Sequence, residues 1–237
     1  MTEHPSQVED LRRQGAETAV SVTGRRARQR HFAAVSMHPG RALATVAVTV
    51  TALLAGAVQV GATPARPTSG PEPVAALDLA RYLGSWYQLA AVPQFFNLGC
   101  ARDTRAEYTA LPNGDVAVRN SCTTWAGTTD EIRGAARIRD PRTGAQLRVA
   151  FPGVPTQESL DGPPNYLVTA LGPDYTWALV TDPDRISGFV LSREPVLAAE
   201  QWGRVRTAID RAGENPCLYL TTPVTGGRDD ITPLCLA

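Results

Sequence analysis

The side chains able to do chemistry are unevenly spread along these 237 residues. There is no lysine, and the three histidines, His4, His31 and His38, lie near the N-terminus. Everything after His38 therefore lacks the usual general base, the usual Schiff-base amine and the commonest transition-metal ligand. Carboxylates remain. Asp182-Pro183-Asp184 puts two of them close enough to hold a cation, but in a turn such a pair reads as solvated. Glu107, Asp130 and Glu131 show no pattern suited to acid–base work. No catalytic residue, metal site or cofactor is expected. The chain carries 23 basic and 23 acidic residues, and this neutrality gives no electrostatic case for nucleic acid. What remains is four cysteines, Cys100, Cys122, Cys217 and Cys235. An even number in an exported domain implies two disulfides.

The elements that must carry these residues begin late. Residues 1–36 are polar and arginine-rich without a hydrophobic period, so they read as a disordered extension. Residues 37–62 follow a basic flank with an almost uncharged stretch that ends in Val60-Gly61-Ala62, the pattern of an export signal cut near Ala62. Uncut, the stretch is long enough to anchor the chain in a membrane. Met37 could be the true start. Residues 63–75 form a Pro-rich linker. From residue 63 onward there are 16 arginines against 19 carboxylates, a net charge of −3, which disfavours an anionic membrane surface.

Residues 76–237 read as one domain. Short β-branched and aromatic runs alternate with turns, of which Pro112-Asn113-Gly114 is the strongest because Asn-Gly adopts positive φ cheaply. The runs are 85–92, 105–111, 115–122, 131–139, 145–151, 166–171, 175–181 and 188–193. Eight strands joined by hairpins and loops suit an up-and-down barrel or a sandwich. Beyond Pro195 the period changes. Trp202, Val205, Ile209 and Ala212 recur at helical spacing up to Gly213, which predicts one C-terminal amphipathic helix packed outside the sheet. A short edge strand over 218–221 follows.

Two motifs frame this region. Asp78-Leu79-Ala80-Arg81-Tyr82-Leu83-Gly84-Ser85-Trp86-Tyr87 resembles the opening motif of the lipocalins, and Phe189-Val190-Leu191-Ser192-Arg193 resembles their closing one. The resemblance, to the bacterial outer-membrane lipocalin and apolipoprotein D branch, covers about residues 76–220. The family often has Thr-Asp-Tyr entering the seventh strand; here the triplet is Pro173-Asp174-Tyr175. The resemblance implies an eight-stranded antiparallel up-and-down barrel, all-β apart from the helix. It also implies that Gly84, Trp86 and Arg193 are structural, with Trp86 plugging the closed end and Arg193 over its ring, a contact worth roughly 0.5–2 kcal/mol.

Strand parity then predicts the lumen. If Trp86 points inward, so do Gln88, Ala90 and Val92; if Arg193 does, so do Leu191 and Phe189. The second and third strands would add Tyr108, Val116, Val118 and Asn120; the fourth and fifth would add Ile132, Ala136, Leu147, Val149 and Phe151. The sixth would add Tyr166 and Val168. Small residues at Ala90, Gly134, Ala136 and Ala170 favour some space inside, although such a barrel can also be filled by its own side chains. Phe95 and Phe96 fall on the loop after strand one, which the topology puts at the open end. They suggest a ligand gate or a transient membrane contact, or else they fold back onto the rim.

The hairpin register favours Cys100–Cys122 and leaves Cys217–Cys235 to hold the tail; some animal relatives instead join the first cysteine to a C-terminal one. The expected function is exported, monomeric transport or storage of a small hydrophobic ligand, such as a fatty acid or lysophospholipid. The alternatives are an enzyme on the same barrel, relying on Tyr108, Tyr166 or carboxylates, and a cell-envelope module with a filled barrel.

Overall fold

The computed structural model describes residues 70–237. The arginine-rich extension, the export signal or anchor and residues 63–69 of the linker lie outside the described residues. Residues 70–75 already belong to the domain: Pro71 is buried and the Val74 amide donates to the Val168 carbonyl.

A four-residue helix, α1 (Leu79–Tyr82), opens the fold, with the Asp78 carboxylate accepting from the Arg81 amide at its N-terminus. Eight antiparallel strands follow: β1 (Gly84–Ala91), β2 (Cys100–Ala110), β3 (Val116–Thr124), β4 (Thr129–Ile138), β5 (Gln146–Ala150), β6 (Tyr166–Leu171), β7 (Trp177–Thr181) and β8 (Gly188–Ser192). Each pairs with the next, and β1 pairs with both β2 and β8, so the sheet closes into a barrel without free edges. The Asn113-Gly114 turn works as predicted: Gly114 has φ 86° and the Leu111 amide closes on the Asp115 carbonyl. Helix α2 (Ala199–Arg211) starts four residues beyond Pro195, and its Val205 and Ile209 are fully buried outside the barrel against Leu89, Trp177, Leu179 and Val190. A two-residue strand, β9 (Leu220–Thr221), pairs with the upper part of β1 where β2 has left it.

Three further differences have local causes. The residues Pro173–Tyr175 form a 3₁₀ turn, so β7 begins at Trp177; Asp174 and Tyr175 both adopt positive φ there. Strand β2 begins five residues earlier than predicted, at Cys100, because bulges between Cys100 and Arg105 carry it up beside β3. Asp182 is not a solvated turn residue. Its carboxylate accepts from the amides of Asp184, Ile186 and Ser187 and from the Ser187 hydroxyl, which ties the β7–β8 loop and consumes its lone pairs.

Candidate functional site

The closed end is built first. Trp86 is completely buried; its indole N–H donates to the Tyr82 carbonyl at 2.8 Å. The Arg193 guanidinium lies 3.6 Å from the centre of that ring and donates to the carbonyls of Arg81, Tyr82, Leu83 and Ser85. One arginine thus stitches α1, β1 and the end of β8 under the barrel floor. Gly84 has φ 95°, where a side chain would be strained, and Arg193 passes 3.4 Å from the position a Cβ would take.

Above this lock, α1 turns Tyr82 into the barrel. Its ring lies 5.1 Å from Trp86 and stacks on Tyr108, centroids 5.7 Å apart. The Tyr166 hydroxyl sits 2.6 Å from that of Tyr82 and 3.0 Å from that of Tyr108. Three strand or helix elements therefore deliver three phenols to one point. Burial raises all three. It pushes Tyr108 up to about 12, against weaker downward pulls from the Tyr166 hydrogen bond and the Arg193 charge. Desolvation also lifts Tyr82 and Tyr166 well above the ordinary tyrosine range, and neighbouring phenols add to the shift. The cluster is a neutral hydroxyl floor.

The walls come from strand parity, as far as parity runs unbroken. Val116, Val118, Ala136, Leu147 and Val149 pack together inside with Tyr108, Phe151 and Tyr166. Trp86, Val168 and Leu191 form the neighbouring interior cluster, with Phe189 against it. Gln88 stands opposite Leu191 on the same face and donates to the Thr222 hydroxyl. Asn120 and Ile132 pair across β3 and β4 nearer the mouth, where Ile132 is exposed. The Asn120 Oδ1 is enclosed without a hydrogen-bond partner among the described residues.

Two positions require correction. Ala90 and Val92 do not face the lumen; they belong to the outer cluster under α2. A bulge between Gln88 and Ala90 inserts one residue into β1, so Ala90 lies opposite Val190 and Ala91 opposite the inward Phe189. A matching irregularity in β6 turns Ala170 outward opposite Leu179. Gly134 gives no free space either. A Cβ there would stand 2.2 Å from the Ala150 carbonyl oxygen and 2.5 Å from the Phe151 ring, so Phe151 already occupies the gap. Of the four small residues, Ala136 is the one whose side chain joins the interior cluster, packed with Val116, Val118, Leu147 and Val149.

Sequence reasoning missed Tyr82, Ala91, Leu171, Ala178 and Val180, which also face inward or close the floor. Parity could have placed Ala178 and Val180 had strand seven been given an inward set. Tyr82 carries no sequence signal, because a helical turn has no fixed face toward a barrel.

The mouth is apolar. Phe95 and Phe96, on a 3₁₀ turn (Phe95–Gly99), stay exposed (73% and 48%) and meet each other edge to face; they do not fold back. Leu98, Trp125 and Ile186 are equally exposed beside them. Trp125 Nε1 donates to the Leu98 carbonyl and Gln94 Nε2 to that of Ile186, so three loops are tied into one rim. The Cys100–Cys122 disulfide fastens the first of them to β3, and Cys217–Cys235 holds the C-terminal tail. Two clefts of about 430 and 510 Å³ lie outside the barrel along α2. Among the described residues no group of His, Cys, Asp or Glu could hold a metal ion.

Fold and site together define a class: closed β-barrels, locked at one end, with a largely apolar interior. The lipocalin-like domain model matches residues 77–221, more than half of the chain, and the chain belongs to the lipocalin family, whose members bind small hydrophobic ligands. It is 35% identical over 153 residues to temperature-induced lipocalin-1 of Arabidopsis thaliana, covering 63% of this chain and 81% of that protein. It is 33% identical over 135 residues to the outer membrane lipoprotein Blc of Escherichia coli K12, covering 56% and 72%. Lobster apocrustacyanin A1 is a similar solved structure at 17% identity, with a TM-score of 0.47 over 65% of this chain and 90% of that one.

Proposed function

We propose that the chain is an exported carrier that holds one small lipid-like molecule in the barrel lumen. The observation behind this reading is the inner surface. Closed walls of Val, Leu and Ala side chains meet a floor of neutral hydroxyls, yet Tyr108, Phe151, Tyr166 and Phe189 stay half-buried although they face inward. Apolar area of that kind gains about 25 cal/mol per Å² on ligand burial, before ordering costs. Export is supported by two disulfides and by likeness to outer membrane lipoproteins; the segment 37–62 would supply the signal, cut near Ala62. The rim of Phe95, Phe96, Leu98, Trp125 and Ile186 suits transient contact with a membrane during loading.

An enzyme on this barrel would need a titratable lumen group poised near neutral pH. At the floor its candidates are the three phenols, and their raised pKa values keep them protonated there. Binding is therefore the better reading. Intrinsic tryptophan fluorescence should respond saturably to a long-chain fatty acid or lysophospholipid. Val118→Arg or Val149→Arg should abolish the response, because a charge in an apolar lumen is costly. A folded protein that shows no saturable binder among apolar ligands would defeat the proposal.

A further inference from the structure

The three-tyrosine floor tells more than that the lumen has a polar point. Tyr82, Tyr108 and Tyr166 carry three O–H hydrogens between them and make two mutual hydrogen bonds, both through Tyr166. One hydrogen is left over, with no acceptor among the described residues. Buried donors are almost always satisfied, so this one calls for an oxygen from outside the protein. Tyr108 and Tyr166 keep accessible surface although both face inward, so the oxygen can reach them through the lumen.

The charge of that oxygen is constrained. Above the floor, the inward Gln88 and Asn120 are neutral amides. Arg102, at the mouth end of β2, is ion-paired with Asp103. Arg119 and Arg137 lie on the outer face, bonded to Glu107, Glu131 and Asp115, and Arg105 covers the outer face of Tyr87. Arg193, the cation nearest the floor, stands behind the Trp86 ring and spends its N–H groups on four carbonyls. At the mouth the inward register position opposite Cys122 is Asp130, which carries the wrong sign for an anion. A carboxylate drawn down to the floor would lose its water and find one neutral donor and, for counter-charge, only Arg193 acting from behind the Trp86 ring.

We propose that the floor is a subsite for a neutral oxygen, and that the chain prefers amphiphiles whose buried end is an alcohol, ketone or ester over those that would bury an ionised carboxylate. This rests on the carrier reading above. Ligands with charged heads bind with the head at the mouth and gain nothing from the tyrosines.

The test uses the full chain with its disulfides formed. The neutral dye N-phenyl-1-naphthylamine is bound first, then displaced by dodecanol or by dodecanoate of the same chain length. At about pH 8 dodecanol should displace the dye at a concentration about ten-fold or more below dodecanoate. Lowering the pH to about 5 should narrow the gap by strengthening the acid, which protonates, and leave the alcohol unchanged. The groups facing the subsite, Tyr82, Tyr108, Tyr166 and Arg193, do not titrate in that interval. The triple variant Tyr82→Phe/Tyr108→Phe/Tyr166→Phe, which removes every floor hydroxyl, should weaken dodecanol about five-fold, the share of one neutral hydrogen bond, with dye and dodecanoate affinity unchanged. Tyr166→Phe alone removes both mutual bonds and leaves two free hydroxyls, so it should not weaken dodecanol, and it keeps the count testable if the triple variant does not fold. Equal or tighter binding of dodecanoate at pH 8, an alcohol preference that survives the triple variant, or a loss of dodecanol affinity on Tyr166→Phe overturns the subsite. Failure of the dye and every apolar ligand to bind overturns the carrier reading itself.

Discussion

Replacing Trp86 by alanine measures how far the barrel depends on its floor. The side chain is fully buried. Removing the ring forfeits about 2–3 kcal/mol of apolar burial. The indole bond to the Tyr82 carbonyl contributes about 1 kcal/mol. The Arg193 contact adds about 0.5–1 kcal/mol, since that guanidinium is only partly buried. Together these match the 3–5 kcal/mol typical of a large aromatic truncated in a core, ~10 °C or more in Tm for a chain of this size. Urea unfolding of the disulfide-bonded protein, followed by far-UV circular dichroism, reads the loss without relying on tryptophan emission. Trp125→Ala is the internal control: the ring is 69% exposed on the rim, and its loss should cost well under 1 kcal/mol. Arg193→Ala should fall between the two and leave ligand affinity little changed. A Trp86→Ala loss below about 1 kcal/mol, no larger than the control, would refute the account of the floor.

Other outcomes follow from the same structure. Gly134→Ala should destabilise by about 1–3 kcal/mol in the same assay, because its Cβ meets the Ala150 carbonyl and the Phe151 ring; a neutral result would mean that Phe151 does not lie there. Tyr82, Tyr108, Tyr166 and Tyr219 have pKa values raised mainly by burial, so the stability they contribute is complete below about pH 10 and is lost as the pH rises through their folded values. Spectrophotometric titration should find these four phenols ionising only as alkali unfolds the chain, and reversible ionisation near pH 10 in the folded protein would contradict that. Peptide mapping without reduction should recover Cys100 joined to Cys122 and Cys217 joined to Cys235. Separations of 22 and 18 residues make each bridge worth about 3 kcal/mol by chain entropy. A fragment linking Cys100 to either C-terminal cysteine would exclude this arrangement.

Much of the barrel was legible in residue order. Alternation and the Asn113-Gly114 turn define the β2–β3 hairpin, and helical spacing marks the face of α2. These are signals of local backbone preference and of period, which a chain carries before it folds; the resemblance of two motifs, one at each end of the barrel, to those of the lipocalins identifies Trp86 and Arg193 as partners. What only the tertiary structure decided lies where the period breaks. One inserted residue in β1 and an irregularity in β6 exchange inside for outside, and no side-chain type announces either, because Ala90, Ala91 and Ala170 suit both faces. Tyr82 reaches the lumen from a helical turn whose orientation depends on Arg193 gripping its carbonyls from far along the chain. The tyrosine floor, and with it the character of the site, exists only once three distant segments are brought within hydrogen-bonding reach.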